Sequence, residues 1–392
     1  MISRNIAGAR VGNQGIGSAG ATAAAPTATG ATAAAHASAP GAAAIVARMG
    51  CLQSQDFHMA KWALGVRNPQ LTEASIDADF NEGKILRTHV LRPTWHFVLP
   101  ADIRWMLRLT APRIRAFCKG LYRKLEIDEP VLRRSKRILE KTLAAEGFCT
   151  REQLAARLVK GKVNTDDIRL AFLLMDAELE GLICSGPRQG KRFTYALLEE
   201  RVPGASTYPD ESEAIAELAK RYFTTRGPAT LQDFAWWSGL NQGKAKIGIE
   251  LNKGDLACVV SEGQAYWFAD AADKNPGATD KSPGAARKKP GAASPVKKAP
   301  AVHLLPAYDE YTVSYKDRSD ILHLRYQKPP GLNLLKPIVV VGGQFAGTWK
   351  RTLFKDTVKV DIDPYTNLKA SVRQASARYA HFIGKELYSG NG

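Results

Sequence analysis

DDIRLAFLLMDAELEGLICSGPRQGKRFTYALL, residues 166–198, decides the fold. Leu170, Leu173, Leu174 and Ala177 recur at helical spacing, which predicts a helix over 166–180 with one apolar face. Gly181 ends it, because glycine closes a helix in the left-handed conformation without steric cost. LICS and KRFTYALL then read as two strands joined by a turn at Gly186-Pro187-Arg188-Gln189-Gly190. Toward the N-terminus, Thr150 with Gln153 three residues on is a capping box that opens a second helix, and residues 135–146 read as a first. Three helices followed by a hairpin is the winged-helix plan, whose third helix suits a DNA groove and whose basic hairpin suits the backbone.

The plan recurs with variations. In 211–269 the helices fall at 211–223, 230–238 (Thr230 as N-cap) and 242–252, and the hairpin LACVVSEGQAYWFA turns at Glu262-Gly263. A less regular copy fits 45–99, with helices near 56–66 and 72–82 and strands at 84–91 and 95–99. Beyond 301 the pattern changes. IVVVGGQFAGTWKRTL and TVKVDID are strand-like, turns are expected at Gly342-Gly343 and Asp363-Pro364, and a helix from about 366 to 385 closes the chain. The expected class is α+β: tandem winged helices (helix-turn-helix plus β-hairpin) and a C-terminal β-rich element. The expected units are 1–100 (first winged-helix region, with 18–44 a low-complexity insertion), 101–203 (basic helices and second winged helix), 204–269 (third winged helix), 270–300 (disordered basic linker) and 301–392 (β-rich element with closing helix).

The chain has 392 residues, with 55 Lys+Arg against 38 Asp+Glu, a formal net charge of +17. The linker contributes +4 and residues 1–44 contribute +2, so +11 belongs to the rest of the chain. A basic folded surface points first to nucleic acid. No run of about 18 strongly apolar residues offers a membrane span. The five cysteines are scattered, at least 30 positions apart, with no disulfide framework and no C-x-x-C pair. Such a chain is expected in a reducing cytoplasm, associated with the nucleoid.

Several strings invite a chemical reading. Gly15-Ile16-Gly17-Ser18-Ala19-Gly20 matches a dinucleotide fingerprint only as a string, since Pro26 breaks any following helix and no acid follows within 35 residues. The seven histidines form no i,i+4 pair, so no metal and no other cofactor is expected. Basic residues crowd 104–124, where Arg104/Arg108 and Arg115/Lys119 share helix faces; this is either a solvated face or a phosphate track. The turn residues Arg188, Lys191 and Arg192 are a compact backbone clamp. In Gly50-Cys51-Leu52-Gln53-Ser54-Gln55-Asp56-Phe57, two glutamines two apart point the same way if the segment is extended. Their carboxamides both donate and accept, so a pair can hold one water in a fixed orientation. Ser54 or Asp56 reads as a helix cap.

Seven strings in order resemble one family: RVGNQGI (10–16), MGCLQSQDFHMAKWALGVR (49–67), THVLRPTWHFVLPADIRWMLRLTAPR (88–113), SGPRQGKRFTYALLEERVP (185–203), RGPATLQDFAWWSGL (226–240), HLLPAYDEYTVSYKDRS (303–319) and VVVGGQFAGTWKRTL (339–353). The chain is identified as similar to the bacterial winged-helix DNA-binding-domain proteins that include the azinomycin-resistance and interstrand-crosslink DNA glycosylases. The resemblance implies a C-shaped array of tandem winged helices. It also implies a Gln-x-Gln motif at the active centre, which falls on Gln53 and Gln55, with Ser54 where characterised members carry an aliphatic residue. From the matching strings, Arg92, Trp95, His96, Arg104, Arg108, Lys350 and Arg351 join Arg188, Lys191 and Arg192 as candidate DNA contacts. Asp309 and Glu310 have two readings: a carboxylate stabilising an oxocarbenium sugar, for which Asp309 is the candidate, or a structural tie through Arg318.

The expected function is thus a monofunctional, metal-independent DNA glycosylase acting as a monomer on damaged double-stranded DNA. The expected reaction is hydrolysis at N7-alkylated or crosslinked purines with a glutamine-positioned water. A non-catalytic winged-helix DNA-binding protein, a regulator or damage sensor, is the alternative. The linker's composition makes one prediction that needs only the sequence. Replacing 272–298 with a short Gly/Ser bridge leaves the melting temperature nearly unchanged, because no apolar core group is lost. A large drop in a thermal melt would show that the segment packs.

Overall fold

In a computed structural model of the chain, which describes residues 41–166, 168–204, 210–270, 301–322, 333–365 and 372–388, one local order (helix, short strand, helix, helix, two strands) appears twice in full and a third time with its short strand reduced to a bridge. The glycine string at 15–20, the RVGNQGI string, nearly all of 18–44 and 270–300, and the expected helix start at 366 lie outside these residues. The first copy is α1 (Ala42–Met49), β1 (Leu52–Gln53), α2 (Phe57–Arg67), α3 (Glu73–Asn81), β2 (Leu86–His89) and β3 (Trp95–Val98). A 25-residue helix, α4 (Pro100–Lys124), follows with Pro112 inside it. The second copy is α5 (Glu129–Glu146), β4 (Phe148–Thr150), α6 (Arg151–Lys160), α7 (Arg169–Leu179), β5 (Ile183–Ser185) and β6 (Thr194–Leu197). After α8 (Leu198–Arg201) the third copy runs α9 (Glu211–Arg226), α10 (Leu231–Ser238), α11 (Gln242–Leu251), β7 (Leu256–Ser261) and β8 (Gln264–Ala269).

The two three-stranded sheets share a topology, β1-β3-β2 and β4-β6-β5, so in each copy the first strand lies outside the hairpin. In the third copy that strand shrinks to a single bridge between Ala229 and Trp267. The residue ending each first strand's connection caps the next helix: Asp56 before α2, Thr150 before α6 and Thr230 before α10. Thr150 with Gln153, and Thr230 with Asp233, form reciprocal capping boxes. The C-terminal element is one sheet of order β13-β12-β11-β10-β9, from β9 (Val302–Leu305), β10 (Ile338–Val341), β11 (Gln344–Leu353), β12 (Thr357–Pro364) and β13 (Glu386–Leu387). The short helix α12 (Glu310–Val313) follows β9, and α13 (Val372–Phe382) precedes β13.

Two expectations about local structure change. The low-complexity stretch ends before residue 44, because α1 starts at Ala42, which is fully enclosed and extends the apolar stripe of Ile45, Val46 and Met49. Asp363-Pro364 is not a turn. β12 runs through Pro364, which pairs with Gly347, where a Cβ would stand 2.4 Å from the Asp363 carbonyl oxygen.

Two apolar clusters lie on either side of the first sheet. The larger gathers Leu86, Val98, Met106, Leu139, Leu173, Leu218 and Trp237 from all three copies and α4. The other joins the first copy to the C-terminal sheet through Trp62, Phe97, Leu304, Trp349 and Tyr379. Trp62 Nε1 donates to the Leu304 carbonyl at 2.7 Å, so the largest buried ring at this junction is also satisfied as a donor. Polar residues of the first sheet are therefore enclosed between two cores, and one end of β1 is where they reach the surface.

Candidate active site

β1 is only two residues long, yet it is held on every side. Leu52 pairs with Phe97 and Gln53 with His96, and His96 pairs in turn with Thr88 on β2. The Ser54 N–H donates to the Trp95 carbonyl at 2.7 Å, and the Ser54 carbonyl accepts from Arg87 Nε at 3.1 Å and Nη2 at 3.0 Å. Ser54 is wholly buried, whereas Gln55 is exposed. Arg92 Nη2 donates to Gln53 Oε1 at 3.1 Å, and the Trp95 N–H approaches Gln55 Oε1 at 3.4 Å. Asp56 then caps α2 by accepting from the Met59 N–H at 3.1 Å. Strand pairing on one side and a helix cap on the other fix the two glutamines within four residues of chain.

Beneath them lies a buried carboxylate. Glu310 Oε1 accepts from the Gln53 backbone N–H at 2.8 Å. Its Oε2 accepts from Arg226 Nη2 at 2.8 Å and Nε at 3.1 Å, from Trp237 Nε1 at 2.9 Å and from Ser314 Oγ at 2.7 Å. Arg226 spends its remaining donors on the carbonyls of Met49 at 2.9 Å and Cys51 at 3.1 Å and on Thr225 Oγ1 at 2.8 Å, and its guanidinium lies 4.3 Å from the Trp237 ring centroid. Burial alone would raise the Glu310 pKa. The charge of Arg226 and the bonds from Ser314 and the Gln53 backbone outweigh it and hold the carboxyl down to about 2. Arg92 also donates to the Trp237 carbonyl, so Gln53 is gripped by backbone and side chain from one network.

Asp309 lies next in the chain but faces elsewhere. It is 1% exposed and forms a two-pronged pair with Arg67, both bonds 2.9 Å, while accepting from the Tyr311 N–H at 2.8 Å. The expected tie through Arg318 is corrected: Arg318 donates to the Thr312 carbonyl at 2.6 Å, and Arg67 is the partner of Asp309.

The other expected contacts scatter. Trp95 is half-buried, with the Arg87 guanidinium 4.2 Å from its ring and the His89 ring 4.6 Å away. His96 is wholly buried. Arg104 is tied to Glu199 at 2.6 Å and the Val202 carbonyl at 3.2 Å, so it joins α4 to α8, whereas Arg108 is exposed. Arg188 departs from the expected clamp. Its guanidinium turns back onto Asp77 at 3.4 Å and lies over Phe57 and Phe193, leaving Lys191 and Arg192 as the exposed cations of that turn. Lys350 is exposed on β11, and Arg351 reaches the Tyr379 hydroxyl. The structure thus gathers Gln53, Gln55, Arg92, Trp95 and His96 around β1, while Arg104, Arg188 and Arg351 are engaged by Glu199, Asp77 and Tyr379. No group of three His, Cys, Asp or Glu among the described residues is arranged to hold a metal ion.

Residues 46–382 match the family model described as DNA glycosylase AlkZ-like. The chain belongs to the AlkZ-like DNA glycosylase family. It is therefore a hydrolase of N-glycosyl bonds acting on DNA. The interstrand DNA cross-link repair glycosylase of Streptomyces sahachiroi is 23% identical over 362 residues, 86% of this chain and 91% of that protein. The solved structure of Streptomyces sahachiroi DNA glycosylase AlkZ superposes with a TM-score of 0.66 at 19% identity, covering 89% of this chain and 93% of that one. That likeness shows the fold, in agreement with the α+β class expected. No helix among the described residues is long and apolar enough to cross a membrane.

The network beneath the glutamines makes a prediction for stability. Because the Glu310 pKa is depressed in the folded protein, its charge stabilises above the ordinary carboxylate range, and that contribution is lost as pH falls toward about 2. Glu310→Gln leaves Arg226 without its counter-charge and is expected to cost about 3–5 kcal/mol at pH 7. The gap between wild type and variant in thermal melts narrows at pH 3. An equal gap at both pH values would mean that shape rather than charge holds the site.

Proposed function

We propose that this glycosylase hydrolyses the N-glycosidic bond of N7-alkylated or crosslinked purines in duplex DNA, with Gln53 and Gln55 at the reacting nucleotide. One observation carries the reading: Gln53 is fixed through its backbone by Glu310 and through its carboxamide by Arg92, an investment in position that an idle surface residue does not need. Alkylation at N7 puts a positive charge on the base. When the C1′–N9 bond breaks, its electron pair neutralises that charge and the base leaves uncharged. The water oxygen bonds to C1′, one of its protons goes to solvent, and the sugar keeps a hydroxyl. No strong acid is required, so neutral carboxamides that place the water and the sugar suffice.

The reading is a monofunctional one. Lyase chemistry needs an amine to form a Schiff base. The first lysine after the glutamines, Lys61, is 1% exposed and bound to Glu73 at 2.8 Å and Asp77 at 2.8 Å. The exposed Lys191, Arg192, Arg108 and Lys350 supply phosphate contacts.

Two measurements check this. Gln55→Ala removes a carboxamide and no charge, so affinity for duplex should stay within about threefold because phosphate contacts dominate it. Excision of N7-methylguanine, read by alkaline cleavage at the abasic site, should fall by about 10²-fold or more, and Gln53→Ala should behave alike. Wild-type excision that both variants match would remove the glutamines from the mechanism, and tight binding without excision from any N7-alkylated or crosslinked duplex would favour a damage-binding protein. Arg192→Ala should weaken plain and lesion-bearing duplex equally and make the log–log salt slope shallower by about one. A loss confined to lesion DNA would mean that the turn reads damage.

A further inference from the structure

Gln53, His96 and Thr88 are direct cross-strand neighbours on β1, β3 and β2. Residues opposed in this way project from the same face of a sheet, with Cβ atoms about 5 Å apart. They form a polar row on the face that also carries Leu86 and Val98 of the larger core. Partners fix the hydrogen-bonding sense of each member. Arg92 can only donate, so the carboxamide oxygen of Gln53 is occupied, and the amide Nε2 with its two N–H groups is the free end. His96 Nδ1 lies 2.9 Å from the Thr94 carbonyl, which can only accept. Nδ1 therefore carries the proton, and Nε2 is a bare acceptor. His96 Nε2 and Thr88 Oγ1 are both enclosed and without a hydrogen-bond partner. Burying such atoms unpaired costs about 1–3 kcal/mol each, and a polar pocket with two or more partners is where a protein keeps an ordered water.

We propose that this row holds the attacking water, with Gln53 donating Nε2–H to its oxygen and His96 Nε2 accepting its O–H. The inference rests on the glycosylase reading above and changes the division of labour within it: Gln53 acts as a donor, and His96 is a further catalytic residue that receives the proton. As the C1′–N9 electron pair departs with the base, the water oxygen bonds to C1′ and passes one proton to His96 Nε2, which later releases it to solvent. Water adding to an oxocarbenium ion becomes strongly acidic, so a weak base is enough. Burial and the charge of Arg92 pull the His96 pKa down, against Glu310 and the Thr94 carbonyl and with His89 adding to the fall, to about 3. The imidazole thus stays neutral, with its acceptor lone pair available.

The test uses the full-length protein and duplex bearing N7-methylguanine. His96→Met keeps the volume and removes the acceptor. Excision should fall by about 10²-fold or more, with DNA affinity within about threefold and the melting temperature unchanged or raised. His96→Gln restores an acceptor near the same position and should keep excision within about tenfold of wild type. Gln53→Glu keeps an oxygen for Arg92 but loses the donors, and should be as impaired as Gln53→Ala; a Gln53→Glu variant as fast as wild type would restore the acceptor role to the glutamine and overturn the proposal. An active wild type matched by His96→Met overturns the His96 role alone, whereas an inactive wild type overturns the glycosylase reading and this role with it. If His96→Met does not fold, His96→Gln and Gln53→Glu still decide. Independently of activity, a crystal structure should show a water within hydrogen-bond reach of both His96 Nε2 and Gln53 Nε2, and a dry row would overturn the proposal.

Discussion

The Glu310 carboxylate is the constraint on which the site depends. A charge buried at 2% exposure is costly unless its lone pairs are saturated, and a lone arginine would not saturate it. Five donors converge on its two oxygens, drawn from β1, α9, α10 and the residue after α12. Each donor lies in a segment that could not otherwise be held to ångström precision: β1 has only two residues, and its partner Glu310 is 257 positions away. Apolar packing alone would let such a strand slide, because methyl surfaces have no directional preference. The hydrogen bonds do have one. Gln53 therefore acquires its place only when the third copy and the C-terminal element are docked on the first.

The three copies share a scaffold and divide its uses. In the second and third, the junction between the first strand and the next helix is closed by a reciprocal capping box, which consumes its polar groups internally. In the first copy the residue three beyond the cap is Met59, which cannot reciprocate. The polar groups there are instead two glutamines ahead of the cap, directed by Arg92 and Trp95. The same turn of backbone that merely starts a helix elsewhere is used here to present side chains.

How much of this was legible follows from the range of each interaction. Helices with capping boxes, such as the one opened by Thr150, and hairpins with a glycine turn, such as Glu262-Gly263, carry their determinants within a few residues and were read correctly. The first strands of the copies, at two residues, three residues and one bridge, are too short to show a period, so they left no trace. Gln53 and Gln55 stood out because paired carboxamides are unusual in an extended segment. Glu310 stood out only as one of two adjacent carboxylates, and its partners Arg226 and Trp237 did not, because a buried ion pair spanning 84 positions has no local signature. The same limit explains Arg188: a cation in a glycine-bounded turn looks like a surface clamp until Asp77 and Phe57, brought from the first copy, and Phe193 of its own hairpin draw it in.

The arginines sort the chain's positive charge into two kinds. Arg67 and Arg226 are matched by Asp309 and Glu310. Arg87, buried, and Arg92, half-buried, lie against carbonyl and carboxamide oxygens, and burial lowers the pKa of both. On the proposed reading this places unneutralised positive charge beside the reacting nucleotide, which would disfavour a reaction that created a cation there. Loss of an N7-alkylated base creates none. It moves one positive charge from the purine to the sugar, so a uniform positive field acts almost equally on ground and transition states and leaves the barrier to geometry. An unmodified purine would have to leave as an anion or be protonated first, and the carboxamides offer no acid for that. On that reading Arg87 and Arg92 cost nothing for a cationic lesion, and the missing acid protects the normal base.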